Sequence, residues 1–168
     1  MKWLAILVSL PLALSACSDP EPTPEQTRAA EDRAIAAVEA AQDVPPNPVA
    51  LEPITFRDID EHGLSGAGCA FRAETQGNGW IALALERGAL VKIEGIIHRL
   101  APDAGSRSLP VMARSRYDGR EYGLTFDLAE GEGQRTGTET TDYPGRLELR
   151  NGRDQVVFGA SGVMQCGT

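Results

Sequence analysis

From residue 53 onward the chain is a succession of short segments in which apolar and polar residues alternate, separated by glycine-rich connections. Alternation turns one face of each segment toward a core and the other toward water, which is the pattern of half-buried β-strands. Two of the connections, Glu94-Gly95 and Asn151-Gly152, are typical hairpin turns. The predicted strands are residues 54–59, 69–73, 80–85, 89–93, 96–100, 109–117, 121–128, 146–149, 155–158 and 162–166.

This spacing of short strands predicts an all-β domain over residues 53–168. The expected architecture is a single antiparallel β-barrel or β-sandwich of about nine short strands, preceded by a short N-terminal helix. No long helical period follows residue 52.

The first 16 residues have the layout of a bacterial signal peptide. Lys2 supplies a positive start, and Leu4 to Leu14 form an apolar run that is too short for a bilayer, which needs about 20 apolar residues. The stretch Leu14-Ser15-Ala16-Cys17 resembles the lipobox of bacterial lipoproteins. The resemblance implies cleavage before Cys17, acylation of its thiol and attachment to a membrane through the lipid. An ordinary secretory signal followed by a chance cysteine is the alternative.

Ser18 bears on which membrane holds the lipid. In lipoproteins that are sorted between two membranes, aspartate after the lipidated cysteine resembles a retention signal for the inner membrane. The serine here implies a place in the bacterial cell envelope on the outer membrane, facing the periplasm.

Residues 17–52 are predicted to be an acidic stalk between the lipid and the domain. Eight carboxylates against two arginines give residues 18–52 a net charge of −6. Thr23, Pro24 and Gln26 form a helix start with a capping box, and helix formers continue to Gln42, so a helix is predicted over residues 24–42. The helix either packs on a partner or on the sheet, or it is a solvated part of the stalk.

The charge of the whole chain limits its partners. Its net charge is −8, whereas nucleic acid binding needs a basic surface. Nucleic acid is therefore not expected as a partner, and neither is adsorption to anionic lipid by charge. The partners that remain are a membrane, reached through lipidated Cys17, and an envelope protein or glycan.

Cys69 and Cys166 are the two cysteines left after Cys17. In an oxidising, exported context an even pair of this kind indicates a structural disulfide. It would join the second predicted strand to the last. Two free thiols, or a redox-active pair, are the alternatives, although redox-active cysteines usually lie close together as Cys-x-x-Cys.

Residues suited to catalysis or metal binding are scarce. His62 and His98 are the only histidines, and the glycine-flanked serines lack the Gly-x-Ser-x-Gly spacing of a nucleophile elbow. The stretch from Asp58 to Gly63 begins like a calcium-binding loop, but its fifth position is His62 and its twelfth is Cys69 instead of glutamate. The sequence therefore predicts no catalytic residue, no metal, no cofactor and no enzyme activity.

The candidate binding residues are Arg114, Arg116, Tyr117 and Arg120. On a regular strand Arg114 and Arg116 would point to the same face. Arginine with tyrosine suits an anionic glycan, a lipid head group or a protein hot spot. The alternative is an ordinary solvated face, because Asp118 and Glu121 follow closely in the sequence.

These features predict a membrane-anchored, periplasm-facing lipoprotein whose non-catalytic β-domain binds an envelope component or protein. A lipid anchor with a compact β-barrel and one disulfide is also similar to the lipoproteins that inhibit lysozyme. Ser115-Arg116-Tyr117 resembles their Ser-Gly-x-x-Tyr stretch, without its glycine and spacing. A hydrolase with an unrecognised site is a further alternative, and the residues to test would be Asp58, Asp60, His62 and His98.

Overall fold

The computed structural model describes residues 22–42 and 44–168. The chain divides between Val44 and Pro45 into two compact units, each described by itself. The predicted signal peptide, lipobox and lipidated Cys17 lie outside the described residues. The second unit begins at Pro45, ahead of the domain boundary predicted at residue 53.

Helix α1 (Pro24–Gln42) lies in the first unit and has the predicted bounds. Its start is a capping box. The backbone N–H of Gln26 donates to Thr23 Oγ1 at 3.3 Å, and the backbone N–H of Thr23 donates to Gln26 Oε1 at 2.8 Å. Among the described residues, no helix combines the length and the apolar character that a membrane crossing requires.

The second unit is an antiparallel β-barrel with a short helix, α2 (Phe56–Glu61), ahead of its first strand. Within the described residues there are nine strands: β1 (Gly68–Ala73), β2 (Ala82–Leu85), β3 (Gly88–Ile93), β4 (Ile96–Pro102), β5 (Arg116–Asp118), β6 (Tyr122–Leu128), β7 (Gln134–Arg135), β8 (Thr140–Asn151) and β9 (Val156–Gly167). The predicted all-β class with about nine strands is confirmed, and the barrel is the architecture adopted.

Eight of these strands close into a ring. They pair in the order β1-β2-β3-β4-β5-β6-β8-β9, and β9 pairs back with β1. Strand β7 pairs with β8 beside the ring. The ring closes because β8 is long enough to pair with two strands along the same edge. Its residues 145–151 pair with β6, and its residues 141–142 pair with β7.

Because neighbouring strands are antiparallel, their connections gather at the two ends of the barrel. We call one of them the turn end, which carries the turns at residues 94–95, 119–121 and 152–155. The opposite end is called the loop end, and it carries the connections at residues 86–87, 103–115 and 129–139.

The interior of the barrel is filled by apolar side chains. Phe71, Phe126 and Leu147, from three different strands, are at most 1% exposed. Phe71 and Phe126 face each other across the interior, with ring centroids 6.2 Å apart. Among the described residues no charged residue is buried, so the inside of the barrel is a core.

Chain segments outside the ring close both of its ends. At the turn end residues 49–54 run across the barrel, and Leu51 joins the core. The N–H of Val49 donates to the carbonyl of Val157 at 3.0 Å and so holds this segment against β9. At the loop end Leu109 and Ala113 join the same core.

A second, smaller core covers part of the barrel's outer surface. Leu83 and Leu85 of β2 face outward and pack with Ile54 and Leu64, which flank α2. Strand β2 is therefore buried on both faces, which explains its continuous run of apolar residues.

Two predicted strands are wrong. Residues 54–59, expected to be extended, contain the start of α2, because Thr55 and Asp58 form a capping box there. Residues 109–117, expected to be one strand, contain a tight turn, and regular strand structure begins only at Arg116.

The C-terminal strands are longer than predicted. Residues 155–158 and 162–166, expected as two strands, belong to the single 12-residue strand β9. The predicted strand at residues 146–149 is the middle of β8. Glycines interrupt the apolar and polar alternation in both β8 and β9. The two strands stay extended because they pair with each other along most of their length.

Cys69 and Cys166 form a disulfide, with their sulfurs 2.09 Å apart. They lie directly opposite each other on β1 and β9. The bond thus joins the first and last strands of the ring. The sequence predicted the second and the last, because residues 54–59 were expected to be a strand ahead of the one that carries Cys69. Both cysteines are buried in the core, which is the position of a structural disulfide.

Replacing Cys69 and Cys166 together with alanine should lower the free energy of unfolding by about 2–5 kcal/mol. The bond closes a loop of 97 sequence positions, and a loop of that length restricts the unfolded chain strongly. Urea unfolding measures the loss. Reductant should bring the wild type down to the stability of the variant and leave the variant unchanged. Equal stability of the oxidised wild type and the variant would contradict the structural role.

Asp58 fastens α2 to the barrel. Its carboxylate accepts hydrogen bonds at 2.8 Å from the backbone N–H and from the hydroxyl of Thr55. It also lies 3.1 Å from the ammonium of Lys92 on β3. The hydrogen bonds from Thr55, aided by Lys92, lower the pKa of Asp58 from 3.8 to about 2. The first carboxylate of the stretch that resembles a calcium-binding loop is therefore part of a helix capping box.

Asp58→Asn should destabilise the protein at neutral pH, because folding favours the ionised carboxylate. A pKa lowered by folding gives stability that is present above the ordinary value of 3.8 and is lost as the pH falls toward about 2. Urea unfolding at a series of pH values should show a gap between wild type and variant that closes in this window. Asp60→Asn, on the same helix, is the matched control. A gap independent of pH would contradict the assignment.

Candidate functional site

Arg114 stabilises the connection between β4 and β5. Its guanidinium donates to the Ser106 carbonyl at 3.3 Å and to Ser108 Oγ at 3.0 Å. Because β5 begins only at Arg116, the expectation that Arg114 and Arg116 share one face of one strand is wrong. Arg114 is occupied within its own loop.

Tyr117 is a core residue, which corrects its place among the candidate binding residues. It is 0% exposed and meets the Phe126 ring edge-on at 6.2 Å. Its hydroxyl donates to the Leu85 carbonyl and accepts from the Arg114 N–H, each at 2.8 Å. Burial raises the pKa of this hydroxyl. The residue that carried the likeness to lysozyme inhibitors is therefore not on the surface.

Arg116 and Arg120 do lie on the surface, and the fold brings further arginines to them. We call this set the arginine face. It consists of Arg107, Arg116, Arg120, Arg146 and Arg150. Alternation explains its position, since Leu147 and Leu149 of β8 fill the barrel, while Arg146, Glu148 and Arg150, which alternate with them, face water.

The pairing of β5, β6 and β8 assembles this face from distant parts of the sequence. Arg116 lies opposite Thr125 of β6, and Thr125 lies opposite Glu148 of β8. Gly123, two residues before Thr125 on β6, lies opposite Arg150. Small residues on β6 thus separate the arginines of β5 from those of β8.

Most guanidiniums of the arginine face have carboxylate neighbours. Arg116 lies 3.1 Å from Asp118, Arg146 lies 3.1 Å from Glu148, and Arg107 lies 3.7 Å from Asp127. These pairs are exposed, and exposed ion pairs contribute only about 0–1 kcal/mol each. A ligand carboxylate or phosphate can therefore replace such a partner at small cost.

A cleft of about 280 Å³ opens at the turn end of this face. It lies between the β5–β6 turn and the β8–β9 turn, and its charged lining is Arg116, Asp118, Arg120, Glu121, Arg150 and Asp154. The Arg150 guanidinium is held by the Asp154 carbonyl at 2.8 Å. Within residues 22–42 and 44–168, no partner lies within bonding distance of the Arg120 guanidinium.

Charge is unevenly distributed over the β-unit. Residues 96–127 and 145–155 carry eight arginines against six carboxylates, a net of +2. The rest of residues 45–168 carries five bases against eleven carboxylates, a net of −6. The segments that carry the arginine face are therefore the net positive part of an acidic unit, and the cleft itself is lined by three arginines and three carboxylates.

The two histidines and the acidic loop do not converge. His98 meets the Tyr122 ring edge-on at 5.0 Å and lies 3.5 Å from Glu121. His62 Nδ1 lies 2.9 Å from the Asp58 carbonyl at the end of α2. In the part of the chain that the structure describes, no three His, Cys, Asp or Glu side chains are grouped as metal ligands.

Sequence reasoning missed Arg146 and Arg150. Their alternate spacing with Glu148 is a signal that could have placed all three on one face of a strand, but the predicted strand ended at Leu149. What it did not show was that β8 lies beside β6, and hence close to Arg116, because β7 intervenes in the sequence. Comparison with protein-family models, with curated proteins and with solved structures finds no match to this chain.

Tyr117→Phe should lower the free energy of unfolding by about 1–3 kcal/mol, because the Leu85 carbonyl and the Arg114 N–H lose a buried partner. Tyr122→Phe is the control, since Tyr122 is only partly buried, and it should change stability little. Urea unfolding distinguishes the two. Equal effects would contradict the core role of Tyr117.

Proposed function

We propose that this chain is a lipid-anchored protein of the bacterial cell envelope and a binding module without catalytic activity. Its anchor is the lipid on Cys17, and its ligand is an envelope protein or glycan with anionic groups. The binding surface is the arginine face, and the cleft at the turn end is its centre.

The observation that carries this proposal is the cleft between the two turns. It combines Arg116 and Arg150, whose guanidiniums are positioned by neighbours, with Arg120, which no described residue pairs. Guanidinium forks match carboxylates and phosphates in geometry. The filled interior leaves the outer surface as the place for a ligand.

The anchor is supported by sequence and by local structure. The lipobox-like stretch ends at Cys17, and a proline-rich segment follows it. Helix α1 then provides a length of about 28 Å from its 19 residues. A helix with proline-rich segments on either side suits a spacer that keeps a binding module away from a bilayer surface.

Affinity capture from native membranes tests the binding surface. The full chain should retain a specific partner, and Arg116→Gln, Arg120→Gln and Arg150→Gln combined should reduce capture at least about tenfold. Loss of one charged hydrogen bond costs about 1.5–3 kcal/mol, and 1.4 kcal/mol corresponds to tenfold in affinity.

The control variant combines Arg57→Gln, Arg87→Gln and Arg135→Gln, which makes the same change in net charge. These arginines lie on α2, in the β2–β3 turn and on β7, away from the cleft. The control should capture as well as the wild type. Equal capture by all three proteins, or an equal loss in both variants, would contradict the proposed surface.

A further inference from the structure

Strand β4 extends beyond the strand that pairs with its second edge. On one edge, residues 96–100 of β4 pair with β3. On the other edge, only Ala101 and Pro102 pair with β5. Residues 96–99 therefore have a neighbouring strand on one side only, and their other side is an open sheet edge.

The register shows which backbone groups point to this open edge. Just after β4, the N–H of Asp103 donates to the Arg116 carbonyl of β5 at 3.0 Å. Backbone groups of successive strand residues point to opposite edges, so Ile97 and Arg99 present their N–H and C=O groups to the same side as Asp103. His98, between them, points to β3. Among the residues whose structure is described, none bonds to the backbone of Ile97 or Arg99 on the open edge.

The edge is open because the chain turns away from β4 at Gly119. The N–H of Gly119 donates to the Tyr122 carbonyl at 2.8 Å and closes the β5–β6 turn. A Cβ at residue 119 would lie 3.2 Å from Leu100 Cγ, so glycine allows the chain to turn this close to β4. Since Asp118 lies opposite Ala101, β5 ends before it reaches the level of Arg99.

A cleft of about 310 Å³, which we call the edge cleft, lies between residues 96–100 of β4 and the β5–β6 turn. Its lining includes His98 and Tyr122, whose rings meet edge-on at 5.0 Å. Ile96, which also lines it, is 62% exposed. Arg120 lines both the edge cleft and the cleft of the arginine face. The open edge is therefore bordered by apolar and aromatic surface and by an arginine.

From these observations we infer that β4 is a strand-addition site. An extended peptide segment of an envelope protein lies in the edge cleft, pairs with Ile97 and Arg99, and places an acidic side chain at Arg120. The inference rests on the proposed function and narrows its ligand from an envelope protein or glycan to a protein.

The open backbone groups specify this class of ligand. Ile97 and Arg99 lie about 7 Å apart along the strand, and each presents one donor and one acceptor. An extended peptide backbone carries the same groups at the same spacing, so it can pair with both residues and supply affinity through its main chain. A glycan has no run of amide donors and carbonyl acceptors at the strand spacing.

Proline at position 99 tests the pairing, because it removes an N–H that points to the open edge and leaves the bonds to β3 in place. A displayed library of random peptides about seven residues long, within the usual range of strand lengths, is selected on the purified full chain. Selected peptides should bind Arg99→Pro at least about tenfold more weakly than the wild type. Arg99→Gln makes the same change in charge and keeps the N–H, so it should bind nearly as tightly as the wild type.

Amide hydrogen exchange of the wild type reports the same contact without any variant. In the free chain, the N–H groups of Ile97 and Arg99 should exchange fast, whereas those of His98 and Leu100, which face β3, should exchange slowly. A saturating selected peptide should slow exchange at Ile97 and Arg99 at least about tenfold.

Several results would overturn strand addition. Slow exchange at Ile97 and Arg99 in the free chain at every concentration would show that the edge is not open. Protection that grows with protein concentration in the absence of peptide would assign the edge to a second copy of this chain. Selected peptides that leave both N–H groups unprotected, an equal loss of binding in Arg99→Pro and Arg99→Gln, or a selection that enriches no peptide would exclude a peptide strand as the occupant.

Capture from native membranes separates this inference from the proposed function. If Arg116→Gln, Arg120→Gln and Arg150→Gln combined lose capture but no peptide protects Ile97 and Arg99, the arginine face stands and strand addition is wrong. If peptides protect the open edge and that variant captures as well as the wild type, strand addition stands and the arginine face is wrong.

Discussion

The pairing of β6 with β8 is the constraint on which the rest of the structure depends. It bypasses β7 and turns a long meander into a closed ring. Closure gives every strand residue an inside or an outside, because side chains alternate along each strand. Leu147 and Leu149 thereby fill the core, and the arginines on either side of them, Arg146 and Arg150, are presented to solvent.

The disulfide acts on the same ring from its other side. Cys69 and Cys166 join β1 to β9, whose ends are far apart in the sequence. With the ring fixed there, residues 49–54 and the loop before β5 can close the two ends. The barrel is then a solid support, and its outer surface carries the proposed binding region, which is the cleft at the turn end.

The sequence predicted the class of fold, the disulfide partners and α1 because each has a local signal or a single chemical solution. The predictions were wrong where a local pattern fitted two kinds of structure, or where the fold brings together residues that are distant in the sequence. Ile54 and Phe56 alternate as in a strand, but the Thr55–Asp58 capping box starts a helix. Tyr117 is polar enough to suggest a surface, yet its hydroxyl finds two buried partners. Arg150 joins Arg116 only through the pairing of β8 with β6.

We propose above all that this barrel is an exported binding module held at a membrane by a lipid. Mass spectrometry of the protein isolated from the bacterium that makes it tests the claim most directly. We expect a mature chain that starts at Cys17 and carries the mass of a diacylglycerol group on its thiol, with or without an acylated amine. An intact chain that starts at Met1 with an unmodified Cys17 would contradict it.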